Sequence, residues 1–123
     1  MEQSVKQINH LLEQHAEFNE LYFDNLLQPI PILIKKQNRA DGYYLYKAHK
    51  DGTPIQGTSH RACIVISEGL YTRPLDWGLI YGTLIHEMIH QYQAEVLNSD
   101  TDHGPRFLDL AATLESTTGY DII

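Results

Sequence analysis

The stretch "TLIHEMIHQYQ" (Thr83–Gln93) sets two histidines, His86 and His90, four residues apart, with Glu87 next to the first. Around them Ile80, Leu84, Met88 and Tyr92 step by four, and Ile85, Ile89 and Val96 widen the apolar stripe. That spacing predicts a helix over Trp77–Leu97, with Asp76 as its N-cap. Residues four apart on a helix share a face, one turn apart. Both imidazoles can therefore reach a single Zn2+ at about 2.0–2.1 Å per nitrogen. Glu87 projects beside the pair, where a carboxylate can accept a proton as the general base instead of binding the metal. Two histidines and a glutamate in an apolar helix cost stability unless they have partners, and zinc supplies one. The competing reading is a pair of hydrogen-bonded core histidines.

A catalytic zinc takes three protein ligands and keeps one position open. Glu95, five residues past His90, faces away from the pair at about 100° per residue. Asp100 and Asp102, in the loop "NSDTD", remain possible ligands. His103 is the better candidate: it follows the loop, and "HGP" opens a further helix that would hold the ligand on a rigid base. Nitrogen ligands also suit zinc. The metzincin pattern needs Gly and His at positions occupied here by Gln93 and Val96, so that family is excluded.

Working outward, residues 3–23 have the apolar spacing of a helix, closed by Pro29 and Pro31. "IPILIKK" (Ile30–Lys36) and "YYLYK" (Tyr43–Lys47) read as strands around the turn "NRADG", and are expected to form a hairpin. "HKDGTPIQGTSH" reads as a loop, and "RACIVIS" (Arg61–Ser67) as a buried third strand. "EGLYTRPLD" connects to the zinc helix. The last helix has Pro105 in its first turn and Gly119 as its stop. The order of helix, three strands and two helices is an α+β pattern with a small, mostly antiparallel sheet. His10 and His15 are expected to be surface or partly packed, and His49 and His60 to flank the central loop. Cys63 is expected in the core, not as a nucleophile.

The 123 residues suit a single domain over 1–123, and with 42% hydrophobic residues a core can form. One cysteine excludes an internal disulfide and a four-cysteine zinc ribbon. No signal-like start and no apolar run of about 20 residues is present, so a cytoplasmic location without membrane insertion is expected. A net charge of −7 argues against direct binding to nucleic acid. Lys35, Lys36 and Arg39 form only a small basic group.

"GTLIHEMIHQYQ" followed by "DHGPRFLDLAATL" resembles the SprT-like domain, the protease module of the Spartan family. "FNELYFDNLL" is similar to that family's N-terminal helix, and "IVISEGLY" to the strand before its active helix. The resemblance implies a compact zincin-like α+β fold. It matches His86, His90 and His103 to the zinc ligands and Glu87 to the catalytic glutamate. Family members include proteases that degrade protein crosslinked to DNA. Several relatives also carry a zinc ribbon or a basic DNA-binding region, which these residues lack. The expectation is a zinc-dependent endopeptidase acting on protein or peptide. The alternatives are a non-catalytic zinc-bound interaction module and a protease recruited to DNA by a partner chain.

Overall fold

The computed structural model describes residues 2–36, 40–46 and 62–123. The basic residue Arg39, the loop with His49 and His60, and the start of the expected third strand at Arg61 lie outside them. Among the described residues, four helices and a three-stranded mixed sheet give an α+β fold. The chain opens with α1 (Glu2–Tyr22) and continues through β1 (Ile32–Lys35), β2 (Gly42–Leu45) and β3 (Cys63–Ser67). Then come α2 (Gly69–Thr72), α3 (Trp77–Glu95) and α4 (Pro105–Thr118). No helix among the described residues is long and apolar enough to cross a membrane.

The first two strands do not form the expected hairpin. The sheet order is β1-β3-β2, so β3 lies between them. It pairs parallel with β1 (Ile32↔Ile64, Ile34↔Ile66) and antiparallel with β2 (Tyr43↔Val65, Leu45↔Cys63). The sheet is therefore mixed, not mostly antiparallel. The physical reason is burial. "IVIS" of β3 is buried throughout, whereas β1 and β2 are only partly buried and each has an exposed last residue. A strand cut off from water must satisfy both its edges with backbone partners, so the most apolar strand takes the centre. At its end Ser67 N–H donates to Asp41 O and Glu68 N–H to Lys35 O, tying it to the residue before β2 and to the last residue of β1.

The middle of α3 is buried almost all round, with Leu84, Ile85, Met88 and Ile89 fully excluded from solvent. A helix covered in this way needs neighbours on every side. Here β2 and β3, α1 and α4 supply them. Asp76 caps it as expected, its side chain accepting from Leu79 N–H at 3.1 Å. The helix ends at Glu95, and Asn98 (φ 49°) turns the chain towards α4. Pro105 opens α4, and Gly119 (φ 77°) closes it in the left-handed region that favours glycine.

The four-residue α2 falls inside the expected connector; so short a turn leaves no periodic signal in the sequence. His15 is deeper than expected: it faces α3 and bonds Gln91 at 2.8 Å. His10 is partly buried and bonds the Tyr81 hydroxyl at 2.7 Å.

Candidate metal centre

His86 and His90 lie one turn apart on α3, and His103 reaches them from the residues just before α4. Their imidazoles converge, with one ligand atom from each lying within 4.8 Å of the others, so the three could hold a metal ion. His103 Nε2 is 3.2 Å from His86 Nε2 and 3.3 Å from His90 Nε2. Two zinc–nitrogen bonds at a tetrahedral angle would set their nitrogens about 3.3–3.4 Å apart. Phe107, one turn into α4 and fully buried, packs on all three rings with centroids 4.7–4.9 Å away. One helix therefore supplies two imidazoles, and the next supplies an apolar base beneath all three.

The outer nitrogens of the two α3 histidines decide which inner atoms are free. His86 Nδ1 lies 2.6 Å from the carbonyl oxygen of Ile122, which can only accept. Nδ1 therefore carries the proton, and Nε2 presents a lone pair to the centre. His90 Nδ1 lies 2.8 Å from Gln93 Oε1. The Gln93 amide is oriented by its own donations to Asp102, to the backbone O at 3.2 Å and to Oδ1 at 3.3 Å. His90 Nε2 is thus also a bare acceptor. Burial holds both rings neutral: it lowers the His86 pKa against the Ile122 hydrogen bond, and it lowers that of His90 to about 4 against the Gln93 bond. The third nitrogen, on His103, can donate a proton to only one of these lone pairs. A cation at the point of convergence would satisfy all three, so the donor set fits a metal such as zinc.

Glu87 is buried beside this cluster, with Oε2 4.0 Å from His86 Nε2. Burial pushes its carboxyl up to about 8. It lines a cavity of about 240 Å³ together with His86, Thr83, Leu79, Gly42 and the chain after α4. Gly42 begins β2, so the cavity joins one end of an edge strand to the carboxylate.

The acidic candidates lie elsewhere. Glu95 accepts from Gln28 N–H at 2.8 Å and from Gln91 Nε2 at 2.9 Å. Asp102 Oδ1 accepts from Gly104 N–H and Gln93, and neither it nor Asp100 belongs to the convergent group. Three participants carry no sequence signal of a site. Gln93 enters the sequence argument only as a mismatch to the metzincin pattern. Phe107 reads as one apolar residue of an amphipathic helix, and nothing in its spacing links it to His103, which precedes the helix. Ile122 acts through its backbone, which no side-chain motif records.

A protein-family model described as the SprT-like family matches residues 11–122. No curated protein matches the chain.

Proposed function

The chain belongs to the SprT-like family, and on that premise we propose that it is a zinc-dependent endopeptidase of the His-Glu-x-x-His type. In this reading His86, His90 and His103 bind Zn2+, and Glu87 is the catalytic base. The observation that carries it is the meeting of His86 Nε2 and His90 Nε2 with a third histidine nitrogen at 3.2 and 3.3 Å, while the Nδ1 atom of each faces an acceptor oxygen.

A zinc ion held there would supply Lewis acidity, polarising a water molecule and the scissile carbonyl. Glu87 would take the proton from the attacking water and return it to the departing amine nitrogen. Burial raises the proton affinity of its carboxyl above that of a solvated one. Burial also keeps the carboxylate from being solvated by bulk water. An extended peptide would add to the outer edge of β2 through backbone hydrogen bonds, which favours broad sequence tolerance. The cavity at Gly42 would then receive the chain next to Glu87. Action on DNA-associated protein would require recruitment by a partner chain, since the net charge of −7 opposes direct binding.

The test is metal content followed by cleavage of casein or of a crosslinked protein by the wild type and by Glu87→Gln. Stoichiometric zinc in both, with cleavage falling by about 10²–10⁴ in the variant, supports the enzyme. A fully zinc-loaded wild type that cleaves neither substrate would favour the non-catalytic interaction module.

A further inference from the structure

We infer that residues 119–123 form a latch that positions the metal centre, with the Ile122 carbonyl holding His86 and the Glu115 carboxylate holding Ile122. The inference rests on the zinc-ligand reading of His86. Four contacts build the latch. Ile122 O accepts from His86 Nδ1 at 2.6 Å. Glu115, in the last turn of α4, accepts from both Ile122 N–H and Ile123 N–H through Oε2, each at 2.9 Å. Asp121 N–H donates to Gly78 O, near the start of α3. The Ile122 side chain is buried at 2% exposure, so the carbonyl is presented by an anchored residue.

The close approach depends on glycine. A Cβ on Gly82 would stand 1.9 Å from Asp121 O, and that neighbour is backbone, which cannot swing aside as a side-chain end would. Gly82 is one turn before His86. The missing side chain therefore lets the segment lie against α3 at the level where its next carbonyl meets the imidazole. A left-handed turn at Gly119 sends the chain back from α4 to do this.

The consequence is mutual support between α3, which carries His86 and His90, and α4, which begins just after His103. Helix α4 follows directly from His103 at its N-terminal end, and from its C-terminal end it aims the carbonyl that sets the His86 tautomer. Outer partners of this kind fix the ring orientation and basicity of a ligating histidine, and losing one typically costs 10- to 100-fold in metal affinity. Glu115, Ile122 and Gly82 are accordingly positioning residues: none offers a side-chain ligand to the cluster.

The experiment compares wild type, Glu115→Ala and Glu115→Gln in the full chain. It reads the zinc dissociation constant by chelator competition and the histidine tautomers by nitrogen NMR of the zinc-free protein. The expected result is a 10- to 100-fold weaker zinc constant for Glu115→Ala, with His86 no longer fixed as Nδ1–H. Glu115→Gln, which keeps an acceptor oxygen, should stay within about threefold of wild type. A folded Glu115→Ala with wild-type zinc affinity overturns the latch, and so does a wild type whose His86 carries its proton on Nε2. Should Glu115→Ala fail to fold, the wild-type tautomer and the Glu115→Gln affinity still decide. A wild type that shows the His86 tautomer but binds no zinc refutes the peptidase reading instead, so the two failures are distinguishable.

Discussion

His15 on α1 and His90 on α3 are both buried histidines held neutral by burial, yet they are wired in opposite directions. His15 uses Nε2, which donates to Gln91 Oε1 at 2.8 Å. The Gln91 amide is fixed in that sense because its nitrogen donates to Gln28 O and Glu95 Oε2. His90 uses Nδ1 for its glutamine, Gln93, and leaves Nε2 bare towards His103. The two glutamines lie two residues apart on one helix and serve two different ends. One closes a contact between helices α1 and α3. The other prepares an open acceptor. At similar depth, the two histidines differ in which ring nitrogen the neighbouring glutamine engages.

The sharpest way to break that comparison is to delete a histidine from each set. On the proposed zinc reading, His103→Ala should weaken zinc binding by at least about a hundredfold, because two nitrogen donors would hold the metal far less well than three. His15→Leu should leave the zinc constant unchanged. Chelator competition on both variants checks this, and equal losses would mean that the centre depends on general packing. Next in size is Gln93→Ala, which removes the orienting oxygen from His90 Nδ1. Zinc affinity should fall about 10- to 100-fold while the far-ultraviolet circular dichroism stays that of the wild type. Comparable in size, but read in stability, is Gly82→Ala. Its methyl group would collide with the Asp121 backbone, so denaturant unfolding of the zinc-free protein should report a loss of about 1–3 kcal/mol.

The sequence made the two helices legible and left their wiring hidden. Leu84, Ile85, Met88 and Ile89 recur at helical spacing, and Asp76, Pro105 and Gly119 mark ends by chemistry that acts over a few residues. The three histidines were findable because a short helical period and one loop bring them together. The sheet order was not, since an Asp-Gly turn between two strands suggests adjacency, and only the burial of β3 shows why it separates them. Gln93 and Gln91 look alike in the sequence. Their different roles depend on Asp102 in one case and on Gln28 and Glu95 in the other.

The smallest effect bears on the scaffold half of the comparison. Burial holds the His15 pKa below its ordinary 6.5, although the Gln91 bond works the other way. Between those two values the unfolded chain binds more protons at this position than the folded one. The stability tied to neutral His15 is therefore complete above pH 6.5 and is lost as the pH falls below it, by at most about 1.4 kcal/mol per pH unit. His15→Leu removes the titration and strands the Gln91 oxygen, so at about pH 7.5 the variant should be less stable by about 1–3 kcal/mol. That deficit should narrow towards about pH 5.5, where the wild type has begun to lose stability that the variant never had. Urea unfolding of both zinc-free proteins at the two pH values measures the difference. A deficit that stays constant would mean His15 keeps the same proton in both states, and its burial would then have no consequence for acid stability.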